Sequence, residues 1–272
     1  MTQSITNHYI EYYDGNLPII LSAPHGGDEK PLDIDTRTSG VFDKDDFTLE
    51  LTKDIVEEFH RRTNSTPYAV IATISREKVD INREVNEAYE DHRASIPYNQ
   101  FHYLIKSSKK SIEKKFGKGL YIDIHGQSHP KGYLEFGYLL DNEILRLHET
   151  ELRENQIKSS IKTLSHFSQE SFIDQLRGPH SLGSLMSNHG FDSIPSVKLP
   201  YASDGNYFEG AYDTIRYGSL NGGNISGIQI EFPYLGCRDT KENRKKCAEA
   251  FVDSILNFME IHFQFNLKEL TL

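Results

Sequence analysis

Apolar residues in this chain fall into two rhythms. Short runs rich in Ile, Val, Leu and aromatics, closed by Gly, Pro or polar residues, occupy residues 17–22, 68–75, 120–124, 133–140 and 227–232 and read as buried strands. Between them the spacing widens to four. Phe47, Leu51, Ile55 and Phe59 make one apolar stripe behind the acidic pair Asp45-Asp46, which predicts a helix with a charged outer face. Residues 98–116 repeat the pattern. The last helix is the clearest: Cys247, Phe251, Ile255, Met259 and Phe263 form one row and Ala248, Val252 and Leu256 the next, with Asp239 and Glu242 as a start signal. Strands alternating with helices predict an α/β fold, three layers α/β/α around a central, largely parallel or mixed sheet. No internal repeat or low-complexity linker divides the chain, so residues 1–272 read as one domain.

Sheets of this kind gather chemistry outside the carboxyl ends of their strands. Three predicted strands end in polar residues there. The first runs into Pro24-His25-Gly26-Gly27-Asp28-Glu29, the third into His125-Gly126-Gln127-Ser128-His129, and the fifth into Glu231-Phe232-Pro233. The glycines leave room for a ligand or a second backbone to approach. Two histidines at strand ends and a carboxylate three residues after one of them supply three ligands. That is the protein share of a catalytic zinc site, whose fourth position holds water. A metal there makes hydroxide available near neutral pH. A carboxylate outside the metal shell then moves protons between water and leaving amine, and Glu231 is the candidate. Asp28 is the first choice for the metal carboxylate; Glu29, Asp45 and His129 are the alternatives. Arg83, in Asp80-Ile81-Asn82-Arg83 after the second strand, offers a planar fork for a substrate carboxylate, with Asp80 and Asn82 holding the turn around it. His8, His60, His92, His102 and His148 read as surface or structural residues.

Composition narrows the partners. Lys plus Arg is 30 against 40 for Asp plus Glu, a formal charge of -10, with no long basic run. Such a chain is a poor binder of nucleic acid or anionic membranes. No apolar stretch approaches the roughly 20 residues that span a bilayer, and Met1 to Tyr13 has no leader pattern, so the expected location is the cytoplasm. Of the two cysteines, Cys237 and Cys247, the second falls in the apolar stripe of the last helix and reads as a core residue.

Taken together, these motifs resemble the N-formylglutamate amidohydrolase family. Pro24-His25-Gly26-Gly27 resembles its first metal-site loop and Asp80-Ile81-Asn82-Arg83 its Asp-x-Asn-Arg segment. Asp123-Ile124-His125-Gly126 resembles its Asp-x-His motif. The run from Phe208 to Gly218 resembles Phe-x-Gly-Gly-Tyr-x-Thr, and Gln229-Ile230-Glu231 its Gln-x-Glu. All five occur in family order. A subgroup pattern is also present in Arg177-Gly178-Pro179-His180-Ser181-Leu182-Gly183, Ile194-Pro195-Ser196 and Tyr207-Phe208. The sequence departs from the family at Ala211, where the second Gly is expected, and at Ile215-Arg216, where a basic pair is expected.

The resemblance implies a phosphorylase/hydrolase-like fold related to zinc carboxypeptidases and aspartoacylases, with one Zn2+ held by His25, Asp28 and His125. Asp28 is one methylene shorter than the Glu of the wider superfamily pattern. Glu231 and Arg83 would be catalytic, and Asn82, Arg83, Tyr212 and Arg216 would bind substrate. The expected substrate is a small anionic N-acyl amino acid, such as N-formylglutamate, or a short peptide. A carboxypeptidase-like or γ-glutamyl hydrolase is the alternative within the same chemistry, and a non-catalytic binding protein retaining the fold is the alternative outside it.

Overall fold

A computed structural model describes residues 4–270. Its strands are β1 (Ser4–Asn7), β2 (Ile10–Tyr13), β3 (Ile19–Ala23), β4 (Tyr68–Ala72), β5 (Gly119–Gln127), β6 (Leu134–Gly137), β7 (Ser193–Ile194) and β8 (Ile225–Pro233). All join one sheet in the order β1-β2-β4-β3-β5-β8-β6-β7. The central four, β4, β3, β5 and β8, run parallel; β2 and β6 flank them antiparallel. The helices are α1 (Thr48–Thr63), α2 (Val85–Ala88), α3 (Ser95–Phe116), α4 (Asn142–Leu145), α5 (Glu149–Glu154), α6 (Phe172–Arg177), α7 (Leu182–Asn188), α8 (Tyr212–Tyr217) and α9 (Lys241–Phe263). Among the described residues, no helix is long and apolar enough to cross a membrane.

The sheet carries a core on each face, as a three-layer arrangement requires. Ile19 and Leu21 of β3, Leu120, Ile122 and Ile124 of β5 and Ile228, Ile230 and Phe232 of β8 pack with Leu51, Ile55 and Phe59 of α1 and Phe251, Ile255 and Met259 of α9. Alternate residues of these strands, Ile20, Tyr121 and Ile225, together with Val70 of β4, pack with Tyr98, Phe101, Ile105 and Ile112 of α3 and Tyr217 of α8. A strand's side chains alternate faces. The α3/α8 face therefore also receives Ser22 from β3, Asp123 and His125 from β5, and Gln229 and Glu231 from β8.

The five strands read from sequence appear with shifted ends. β5 runs to Gln127 rather than 124 because its register with β8 continues through His125↔Glu231 and Gln127↔Pro233. β6 is shorter than the 133–140 run, since Leu139 takes a positive φ of 62° and leaves the ladder. The edge pair β1 and β2 and the two-residue β7 are additional, too short to give a periodic signal. The cap of α9 falls one residue after the expected acid: Thr240 accepts from Asn243 N, while Asp239 accepts from Gly236 N in the turn before.

One core polar group has a measurable consequence. His102 on α3 is buried against α8, with Nδ1 2.6 Å from Tyr217 Oη and 3.7 Å from Asp213 Oδ1. Burial, aided by the charges of Arg216 and Lys106, lowers its pKa to about 3. Below about pH 6.5 the unfolded chain takes up a proton that the folded chain refuses, so stability must fall as pH drops toward 3. His102→Gln should flatten that part of the pH–stability curve, measured as urea midpoints between pH 7 and 4. Parallel curves for variant and wild type would refute it.

Candidate metal and active site

The site forms where β3, β5 and β8 end. After Ala23 the chain turns through Pro24 to His25, and Gly26 lies so close to the first turn of α1 that a Cβ would sit 2.6 Å from Leu49 N and Thr48 Oγ1. Asp45 N donates to His25 O at 3.1 Å, so the segment leading into α1 is tied to the histidine loop by its backbone. Thr48 N and Oγ1 both donate to Asp45 O. The acidic pair expected to begin α1 thus splits: the residue flanking the helix is Phe47, at a φ of 62°, and Asp45 turns inward.

Asp45 is the centre of the cluster. Its Oδ2 lies 3.0 Å from His125 Nδ1 and 3.6 Å from His25 Nδ1, and it accepts from Gly126 N at 3.1 Å. His25, Asp45 and His125 each offer a ligand atom, and these atoms lie within 4.8 Å of one another. The other nitrogen of each imidazole is held from behind. His25 Nε2 is 2.7 Å from Asp80 Oδ1; His125 Nε2 is 3.1 Å from Asp123 Oδ2 and 3.1 Å from Asn82 Nδ2. A carboxylate behind each imidazole, Asp80 for His25 and Asp123 for His125, is how metal-binding histidines are oriented and made more basic. Two imidazoles and one carboxylate also match the donor set of a catalytic zinc. The residues fit a divalent metal.

Burial sharpens the electrostatics. It works to raise the Asp45 carboxyl, but hydrogen bonds from His125 and His25 hold it well below the usual carboxylate range. Burial likewise opposes charge on His125, yet the adjacent Asp123 and Asp45 raise its pKa well above normal. Glu231 is pushed up to about 8, chiefly by burial, with His125 opposing and Asp45 and Glu135 adding. Glu231 pairs in register with His125 on one side and Glu135 on the other, and Gln229 Nε2 donates to its Oε1 at 3.0 Å. A cavity of about 280 Å3 brings His25, Asp45, His125, Glu231, Asn82 and Arg83 to one space, with Val41, Phe208 and Ala211 as its apolar wall.

Several expectations change. Asp28 stands apart from the histidines: it is exposed and pairs with Lys44 Nζ at 2.5 Å. The bridges Gly27↔Ser75 and Glu29↔Ile74 keep that stretch extended, and in extended chain residues three apart face opposite ways. Glu29 is exposed on the same stretch, and His129 pairs with Glu135 Oε1 at 2.7 Å. Asp80 and Asn82 support the histidines rather than simply shaping a turn for Arg83, whose Nε is 4.0 Å from Asp80 Oδ2. Tyr212 and Arg216 fall outside the cavity. Arg216 Nη1 donates to Tyr212 Oη, and its guanidinium stacks on Tyr212 and Tyr217. Asp123 was legible in principle, two residues before His125 on the same strand face.

No protein-family model and no curated protein sequence matches the chain. Solved structures do. An N-formylglutamate amidohydrolase from Ralstonia eutropha superposes with a TM-score of 0.59 at 12% identity, covering 91% of this chain and 95% of that one. A gene product of Agrobacterium tumefaciens superposes with a TM-score of 0.56 at 14% identity, covering 93% and 96%. The chain has the fold of an N-formylglutamate amidohydrolase. The motif resemblance implied this fold, and the match runs over nearly the whole of both chains.

Two carboxylates can now be separated by experiment. Asp45→Asn should abolish stoichiometric binding of Zn2+ or Co2+ to the metal-stripped protein, because it removes one of the three donors, while Asp28→Asn should bind as wild type. Calorimetric titration decides between them; the reverse pattern would return the role to Asp28.

Proposed function

We propose that the protein is a metal-dependent amide hydrolase that cuts an N-acyl or peptide-like bond beside a free carboxylate, as in N-formylglutamate, with one zinc ion. The observation that carries this reading is the convergence of His25, Asp45 and His125 with Glu231 and Arg83 on one small cavity. When bound, a zinc ion polarises a carbonyl oxygen and makes water acidic enough to attack it near neutral pH.

The chain's own residues do the rest. Asp80 behind His25, and Asp123 with Asn82 behind His125, keep each Nδ1 turned toward Asp45. Glu231, steadied by Gln229, takes a proton from the attacking water and gives it to the departing amine. With a cation held by His25, Asp45 and His125, Glu231 would be favoured in the ionised form that this task needs. Arg83 is half-buried, with Nη1 donating to Asn82 O at 2.8 Å, and its remaining donors suit a bidentate grip on a carboxylate. Arg76, by contrast, is occupied by Asp80 Oδ2 at 2.8 to 2.9 Å. The size of the cavity favours a substrate no larger than an acylated amino acid or dipeptide.

Glu231→Gln keeps the size of the side chain and removes the base, so turnover should fall by about 100- to 10,000-fold with metal still bound. Loss of metal from this variant would make Glu231 a ligand instead. Arg83→Lys should weaken a carboxylate substrate far more than its amide analogue, because lysine lacks the fork. A panel of N-formyl, N-acetyl and γ-glutamyl amino acids and dipeptides identifies the acyl group, and equal loss on carboxylate and amide would leave Arg83 without a clamp.

A further inference from the structure

Arg238 is the bulkiest of the fully buried side chains, yet its three hydrogen-bond acceptors are all main-chain carbonyls. Nε donates to Phe232 O at 2.9 Å, Nη2 to Gln127 O at 3.1 Å, and Nη1 to Asp46 O. Each carbonyl belongs to a segment that carries a site residue. Phe232 follows Glu231, Asp46 follows Asp45, and Gln127 lies two residues after His125. These segments come from β8, the lead into α1 and β5, which are remote from one another in sequence. A guanidinium has the rigid, planar donor set to join three such groups at fixed angles.

Gly126 makes the approach possible. A Cβ there would lie 2.4 Å from Arg238 Cζ and 2.7 Å or less from both Nη atoms. The same glycine donates its N–H to Asp45 Oδ2. Its missing side chain and its N–H therefore serve the guanidinium on one side and the shared carboxylate on the other. The residue is delivered by the turn Tyr234–Arg238, in which Gly236 adopts a φ of 79°, and Arg244 Nη1 of α9 fixes it by donating to Arg238 O at 3.1 Å.

We propose that Arg238 is a positioning residue for the metal site, setting the mutual placement of Asp45, His125 and Glu231 through the backbone that follows each, with Gly126 as the space it requires. The inference rests on the metal-hydrolase reading above. It is tested on the full-length, metal-stripped protein by titrating Co2+, following both affinity and the visible absorption of the bound ion. Thermal midpoints of the metal-free variants are recorded alongside.

Arg238→Met should weaken Co2+ binding by roughly 10- to 100-fold, as loss of supporting contacts around metal ligands does, and should shift the Co2+ spectrum. Arg238→Lys keeps charge and length without the fork and should show the same spectral shift, so the test stands even where the Met variant folds poorly. Gly126→Ala should weaken binding in the wild-type background and add nothing to Arg238→Met, because the Cβ then meets no guanidinium. Wild-type affinity and spectrum in Arg238→Lys and Arg238→Met would overturn the proposal. So would equal losses from Gly126→Ala with and without Arg238. A wild-type protein that binds no divalent ion would overturn the metal reading itself, a separate result from the variants' behaviour.

Discussion

Six carboxylates, Asp45, Asp80, Asp123, Asp213, Glu135 and Glu231, are buried around two imidazoles at one end of the sheet. Uncompensated charge in a low-dielectric interior is expensive, so this number is the constraint around which the region is built. Three remedies are visible. Asp80 is paired with Arg76 and hydrogen-bonded to His25, and Asp45 sits between the two histidines and accepts from Gly126 N. Glu231 and Asp213 are instead pushed upward in pKa by burial and by neighbouring carboxylates, which favours the protonated form. The third remedy is positive charge without an acidic contact partner: Arg238 lies among carbonyls close enough to Asp45 and Glu231 to feel both. A divalent cation among His25, Asp45 and His125 would supply what remains of the balance.

The sheet explains why the acids and bases gather without wrecking the core. Along β3, β5 and β8 apolar residues such as Leu21, Ile122, Ile124, Ile228, Ile230 and Phe232 enter the layer under α1 and α9, while their neighbours, Ser22, Asp123, His125, Gln229 and Glu231, face the other way. These polar residues occupy the carboxyl-terminal halves of the parallel strands, from Asp123 and Gln229 at the middle of β5 and β8 to His125 and Glu231 beyond. Toward the other end of the same face the alternate positions become Ile20, Tyr121 and Ile225, and the layer is apolar again. The hydroxyl of Ser22 marks the seam, bonded to Asp123 Oδ1 at 2.6 Å and to Tyr121 Oη at 2.7 Å.

This division decides what could be read from the sequence. His25, His125 and Glu231 were legible because they terminate apolar runs, and a run that ends in a polar residue reports where a parallel sheet opens. Asp123 obeys the same period-two rule. Asp45 was harder: by spacing it belonged to a helix start, and only the return of the chain from residue 27 to residue 45 brings it back beside His25. Local spacing favoured Asp28, but the β-bridges at Gly27 and Glu29 keep the backbone extended and turn that side chain out to Lys44. Arg238 left no pattern at all, since its partners are carbonyls and any sequence supplies those. The short strands β1, β2 and β7 escaped for the opposite reason: two to four residues are too few to display a period.

The cavity has two unlike halves, and their supports differ accordingly. On the histidine side the walls are strand ends and buried acids, positioned by register and by hydrogen bonds to imidazoles. On the other side Phe208 stacks on His129 with ring centroids 4.9 Å apart, and Glu135 binds both, accepting from Phe208 N at 2.9 Å and contacting His129 Nδ1 at 2.7 Å. Glu135 is the register partner of Glu231 on β6. One pair of adjacent strand positions therefore faces both halves: Glu231 toward the cavity it shares with the two histidines, Glu135 toward the aromatic wall. The two are also coupled through space: Glu135 adds to the rise in the Glu231 pKa, so the charge of the wall is felt at Glu231 without any movement of the ladder.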